Sequence, residues 1–310
     1  MTDWLIGKAT YASTWLGLKI GCAASRRFPR ATLSLADRSA NLCFRLFPGF
    51  RRRSIANIRA AFGSSISATE AENTARRTLR NFFRACVELV AAVSASDEEL
   101  RRKIDVVGRE HLDRALAKGK GVLVLSAHLG NFFLVGTRLT IDGYRASVLI
   151  NQPREGSFAE LLDEYRLRVR QRTIHARPRR QALRELSEML RRNEVAVIIA
   201  DEYRRSKGVE VTLFGQTVHA RRGPVTLALR TGAAVVPACL VRRSDDRLQL
   251  IIEPELNLLR DTKDREAIRE NTVVMTEWLE RKVRQFPDQW NWMNLRRSES
   301  GAGGTEASKI

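Results

Sequence analysis

The chain has 310 residues, of which 44% are hydrophobic and 29% charged, ordinary globular usage that argues against a disordered chain or a multi-span membrane protein. Its 54 Lys and Arg against 35 Asp and Glu give a formal charge of +19, which attracts polyanions: nucleic acid, anionic lipid or an acidic carrier protein. Only nine of the basic residues are Lys, and the planar fork of Arg suits phosphate and carboxylate.

Residues 4–24 are apolar but contain Lys8 and Lys19, so they make a poor continuous span. On a helix, positions eleven apart nearly superpose, which sets Lys8 and Lys19 on one stripe beside Trp4 and Trp15, with Tyr11 close by. That pattern suits a helix lying in a lipid headgroup layer. Asp3 precedes the apolar stretch and no convincing cleavage site follows it, so export is not expected.

Helical patterns continue over residues 33–47 and 70–93. Between them FRRRSIANIRAAFG, 50–63, is a basic cluster entering a short amphipathic helix that Gly63 ends. From residue 104 short β-rich runs alternate with helices: 121–127, 146–151, 195–201, 209–215, 233–243 and 248–255 as strands, and about 109–118, 131–141, 157–172, 179–192, 223–231 and 263–286 as helices. Several runs are continuously apolar, the mark of strands buried on both faces. The expected architecture is therefore α/β, a mixed and largely buried sheet flanked by helices. The division is a helical, membrane-facing region over 1–100, an α/β core over 101–297 and a disordered tail over 298–310. Cys22, Cys43, Cys86 and Cys239 show no C-x-x-C pair and the four histidines do not cluster with them, which argues against disulfides and structural zinc and favours a reducing, cytosol-facing setting.

GVLVLSAHLGN puts His128 just past a buried strand, with a helix expected from Asn131; ligand crevices of open α/β sheets lie at such junctions. A histidine there can take a proton from an alcohol attacking a thioester, and a helix N-terminus nearby would disfavour the imidazolium.

Three segments now carry a resemblance. SAHLGN looks like the active-site block of the bacterial lipid A biosynthesis acyltransferases, residues 208–243 resemble the family's strand, helix and strand block, and FPDQWNWMNLRR, 286–297, is similar to its C-terminal signature. RRRSIANIRAAF agrees more loosely, with Glu88 where a glutamate commonly follows. The resemblance implies an O-acyltransferase at the cytoplasmic face of the bacterial inner membrane, an acyl-carrier-protein or acyl-CoA thioester donor, an anionic glycolipid acceptor and a His-x4-Asp/Glu dyad. This chain departs from the pattern, because five residues after His128 stands Phe133.

Three readings of that departure compete: Asp201 or Glu202, after the strand at 195–201, supplies the acid; His128 works alone; or the protein is a non-catalytic relative that binds lipid or acyl carrier. On the enzymatic reading Asn131 and nearby amides position the thioester carbonyl. Arg154, in the loop after a strand, would hold phosphate, as would the basic loop with Arg204 and Arg205 and the helix entry Arg221, Arg222, Gly223. Neither metal nor cofactor is needed for this chemistry, and no nucleic-acid-binding motif is present. The cluster Trp290, Trp292 and Met293 reads as core packing.

Overall fold

The computed structural model describes residues 17–151, 157–203, 207–260 and 265–295, without the side chains of 157–161. Its first stretch is helical: α1 over residues 17–27, α2 (Pro29–Leu46), α3 (Pro48–Phe62), α4 (Ala68–Ala92) and α5 (Asp97–Lys103). Proline opens both α2 and α3, where the missing amide costs nothing. Ser67 caps α4 through the Glu70 amide, and Ser96 with Glu99 forms a full capping box on α5.

A seven-stranded sheet follows, in the order β1 (Ile104–Val107), β9 (Leu248–Ile252), β8 (Ala234–Arg242), β2 (Val122–Ser126), β5 (Val195–Ile199), β3 (Ala146–Ile150), β4 (Arg172–His175). Every neighbouring pair is parallel except β8 and β9. All five residues of β2 are buried, as the continuous apolar run requires of a strand covered on both faces. Helices α6 (Arg109–Leu116), α7 (Val135–Ile141), α8 (Ser157–Arg168), α9 (Arg179–Arg191), α10 (Gly223–Thr231) and α11 (Arg265–Gln285) follow the strands. The N-terminal helices share the core: Phe44, Ile58 and Ala71 belong to one buried cluster with Leu123, Ile198 and Trp278.

The sheet-and-helix architecture expected from the apolar runs is the one observed, with differences in detail, among them the edge strand β1, which the sequence pattern did not mark. The helix expected over 157–172 ends at Arg168, and Arg172–His175 forms the edge strand β4, too short to show a period of its own. The helix expected from Asn131 begins only at Val135, after a 3-10 turn over Phe132–Leu134. The run at 209–215 does not join the main sheet. It contributes β6 (Val209–Leu213), which pairs with β7 (Gln216–Ala220) as an antiparallel hairpin packed on α11. Phe214 and Gly215 both take positive φ at its two-residue turn, and the inward residues Val211 and Leu213 alternate with exposed Glu210 and Thr212.

The chain leaves β2 towards β3 on one side and leaves β5 towards β8 on the other. The carboxyl ends of β2 and β5 therefore form a topological switch point, where an open parallel sheet leaves a crevice. Among the described residues, no helix is long and apolar enough to cross a membrane. Most of the 4–24 segment and all of the 298–310 tail lie outside the described residues.

Candidate active site

Two of the sequence-identified residues meet at that switch point. His128 follows β2 and Asp201 follows the neighbouring β5, so parallel pairing of Ser126 with Ile199 delivers both to one edge. The Asp201 carboxylate accepts from His128 Nδ1 at 2.7 Å through Oδ1 and from the His128 backbone amide at 2.9 Å through Oδ2. This fixes the tautomer: Nδ1 carries the proton and Nε2 is the basic nitrogen.

Asp201 is 1% exposed, and burial alone would push its carboxyl up; the adjacent imidazole and the donors around it hold it below the usual carboxylate range. Burial alone would depress the imidazole, yet the Asp201 hydrogen bond and charge, with Glu202 beyond, hold His128 above the ordinary histidine value. The helix expected to begin at Asn131 and favour neutral imidazole begins only at Val135, and the carboxylate sets the direction. The pair matches an oriented general base, in which a buried acid holds the ring and stabilises the imidazolium that forms.

The remaining candidates divide. Glu202 is not a partner of His128; its carboxylate accepts from Arg221 at 2.6 Å. Asn131 is 2% exposed and does not face the crevice. Its side chain donates to Glu88 at 2.8 Å and its amide to the Leu240 carbonyl at 2.7 Å, so the expected role in positioning a thioester carbonyl is not available to it. Glu88 in turn accepts from Arg242 at 2.7 Å, tying α4, the His128 loop and β8 together. Gly130 makes this approach possible: its φ is +63°, and a Cβ there would lie 2.0 Å from the Leu240 carbonyl oxygen. Arg154, Arg204 and Arg205 lie outside the described residues.

His128 opens onto a cleft of about 1200 Å³. Its lining includes apolar Leu89 of α4, Val93 just after it, Phe132 and Phe133 of the 3-10 turn, Val148 of β3 and Val169 after α8, with Arg166 of α8 among them. Phe133 lies in this lining beside Phe132, their ring centroids 4.1 Å apart, and Phe132 meets the His128 ring edge-on at 4.7 Å. The position where the family resemblance implies an acid therefore furnishes apolar surface, and Asp201 supplies the carboxylate. The lining also includes Arg177, Arg179, Lys207, Arg221 and Arg222, with Gly223 and Pro224 at the α10 N-terminus and apolar Ala182, Leu183 and Leu186 of α9 beside them. Arg221, Arg222 and Gly223, expected from the sequence to hold phosphate, line the cleft, and Arg177 and Arg179, not among the sequence candidates, line it too. They follow the unrecognised strand β4, whose C-terminal end marks the same crevice.

Trp290 packs in the core, as expected, and also touches the dyad. It is fully buried, but its indole Nε1 donates to Asp201 Oδ2 at 2.8 Å, so it belongs to the site as well as to the core. The likeness of 286–297 to the family's C-terminal signature was the available signal.

A half-buried His paired with a buried Asp at the carboxyl edge of a parallel sheet, facing a cleft whose lining includes both apolar and basic residues, forms an acid-base arrangement. A sequence model of the bacterial lipid A biosynthesis acyltransferases matches residues 2–297, and the chain belongs to that family. It is similar to the lipid A biosynthesis palmitoleoyltransferase of Escherichia coli, 25% identical over 285 residues that cover 91% of this chain and 83% of that protein. The lipid A biosynthesis lauroyltransferase of the same organism is 22% identical over 94% of this chain and 88% of its own length. A phosphatidylinositol mannoside acyltransferase of Mycobacterium tuberculosis is 29% identical over 163 residues, 52% of each chain. The protein is thus an acyltransferase, and the binding-only reading loses its premise, the lack of a carboxylate for His128.

Proposed function

We propose that the protein transfers a fatty acyl chain from a thioester, carried by acyl-carrier protein or coenzyme A, to a hydroxyl of an anionic glycolipid resembling a lipid A precursor. The observation that carries this reading is an oriented base, His128, in a large cleft whose lining combines hydrocarbon surface with guanidinium groups. The relatives named for lipid A biosynthesis and for phosphatidylinositol mannoside share a sugar-bearing lipid as the named substrate class, which supports a glycolipid acceptor.

In the proposed reaction His128 Nε2 takes the acceptor hydroxyl proton as that oxygen attacks the thioester carbonyl carbon. Asp201 stabilises the imidazolium. Collapse of the tetrahedral intermediate breaks the carbon–sulfur bond, and the imidazolium returns its proton to the departing thiolate. The acyl chain lies along Phe132, Phe133, Leu89 and Val93. At about 1200 Å³ the cleft exceeds a typical small-ligand site of roughly 300–1,000 Å³, as two lipid-like substrates require.

Arg177 and Arg179 are assigned to the acceptor's anionic group. The double variant Arg177→Ala/Arg179→Ala should raise the acceptor KM roughly tenfold or more, the worth of a charged hydrogen bond, with a much smaller change in kcat. Steady-state kinetics with phosphorylated and dephosphorylated acceptors checks this; an equal penalty for both acceptors removes the pair from anion binding.

We also place the protein at the cytoplasmic face of the inner membrane, held there as a peripheral protein. Leu35, Leu42 and Leu46, 56–64% exposed, form one stripe along α2, with exposed Arg38 and Arg45 beside it and exposed Phe28 and Phe47 at its ends. Apolar side chains flanked by basic ones are the pattern of an interfacial helix on anionic lipid. Leu42→Glu/Leu46→Glu should reduce binding to anionic vesicles about tenfold or more without altering the fold, since neither side chain is buried. Co-sedimentation at matched lipid concentrations reads the effect; undiminished binding would place the contact elsewhere.

A further inference from the structure

Asp201 receives more than the two hydrogen bonds of His128. Trp290 Nε1 donates to Oδ2 at 2.8 Å, and the Asn294 side-chain amide lies 3.3 Å from the same oxygen and 3.1 Å from His128 Nδ1. Both residues come from one short segment at the end of the described chain. That segment is fastened to the His128 loop by its backbone: Leu129 and Trp290 form an antiparallel bridge, the Asn291 amide donates to the His128 carbonyl, and the Gly130 amide donates to the Gln289 carbonyl. It is also held from behind. Asn57 of α3 donates to the carbonyls of Trp292 at 2.7 Å and Leu295 at 3.2 Å, and Asn81 of α4 donates to that of Asp288 at 2.8 Å. The segment's side chains thus reach the carboxylate from a fixed frame.

We propose that Trp290 and Asn294 are positioning residues of the reaction, and that the C-terminal turn completes the dyad by orienting Asp201 and dispersing its charge. The inference rests on the dyad reading above. A carboxylate relocated to another strand has freedom about its side-chain torsions, and donors on Oδ2 leave Oδ1 aimed at Nδ1. The indole and carboxamide are neutral, so they stabilise the anion without competing for the imidazole proton. Among the described residues, the charged groups near His128 are then Asp201 and Glu202, with Arg221 on Glu202 and Arg222 and Lys207 along the cleft; the 3-10 turn brings Phe132 and Phe133 to it.

Withdrawing a donor concentrates the charge of Asp201 on its bond to Nδ1, which favours the imidazolium. Trp290→Phe and Asn294→Ala should therefore move the acid limb of kcat/KM up by about half a pH unit and lower kcat roughly tenfold, with the thioester KM unchanged. Asn294→Asp sets a second carboxylate beside Nδ1 and should raise the limb by about one unit or more. Titration of the His128 ring by NMR, in a chain with four histidines, reads the same order without substrate. Limbs and ring titrations that coincide with wild type in Trp290→Phe and Asn294→Ala, while Asp201→Asn alters both, overturn this inference and leave the dyad standing. If Asp201→Asn alters neither, the dyad reading falls and this one with it. Because Asn294 is only half-buried, its two variants carry the test even if Trp290→Phe loses stability.

Discussion

Asp201→Asn should lower acyl transfer by about 10³- to 10⁴-fold, the scale seen when the orienting carboxylate of a histidine base becomes a carboxamide. An Asn can receive the Nδ1 proton only through its carbonyl oxygen and carries no charge to stabilise the imidazolium. The pH dependence has a definite sign. The base works when neutral, and Asp201 holds His128 above the ordinary histidine value, so wild-type kcat/KM rises with pH through a midpoint above about 6.5. In Asp201→Asn that midpoint moves down. The deficit is then largest on the wild-type plateau and narrows as pH falls. A pH–rate profile of both proteins checks the direction; an upward shift in the variant would mean that Asp201 does not act through the imidazole charge. Glu202→Gln, by contrast, should leave most of the rate, because that carboxylate is committed to Arg221.

The largest effect on stability is expected at Glu88. Its carboxylate sits between Asn131 and Arg242, and the Arg242 and Glu88 side chains are 10% and 19% exposed. Glu88→Ala leaves the Asn131 amide without its acceptor and a mostly buried guanidinium with only the longer contacts to Asp246, at a cost of about 3 kcal/mol. For a chain of this size that is roughly 6 °C in Tm. Replacing both partners, Glu88→Gln with Arg242→Met, should recover part of the loss, since neither new side chain is charged and the Gln carbonyl can still accept from Asn131. Thermal unfolding of the single and double variants measures the coupling, and strictly additive losses would show that the ion pair does not hold the His128 loop.

The parts of the site that were legible in the sequence are those where local pattern and topology coincide. The continuous apolar run at 121–127 marks a strand buried on both faces, and its end marks His128. The run at 195–201 does the same for Asp201, and parallel pairing brings the two ends together. What was not legible depends on contacts between distant segments. Trp290 reaches Asp201 across 89 residues and Asn294 reaches His128 across 166, and a cluster of aromatic residues reads as packing until its partners are known. Arg177 and Arg179 were hidden by β4, whose four residues, Arg172–His175, show no alternation distinguishable from the end of the preceding helix. Asn131 erred in the opposite direction. Its place beside His128 suggested chemistry, whereas the backbone turns its side chain inward to Glu88. The run at 209–215 was legible as a strand, but its pairing with 216–220 outside the main sheet was marked only by the alternating Glu210 and Thr212 of a one-sided ribbon.

The central claim, that His128 is the base of a thioester-to-hydroxyl acyl transfer, is tested most directly by a single-turnover assay. Radiolabelled acyl-carrier-protein or acyl-CoA thioester is mixed with excess purified wild-type or His128→Ala protein and a phosphorylated glycolipid acceptor, and label in the lipid is followed. Wild type should move the label to the glycolipid, and His128→Ala should show none above the protein-free control while keeping a wild-type circular dichroism spectrum. Transfer by His128→Ala at the wild-type rate would contradict the account.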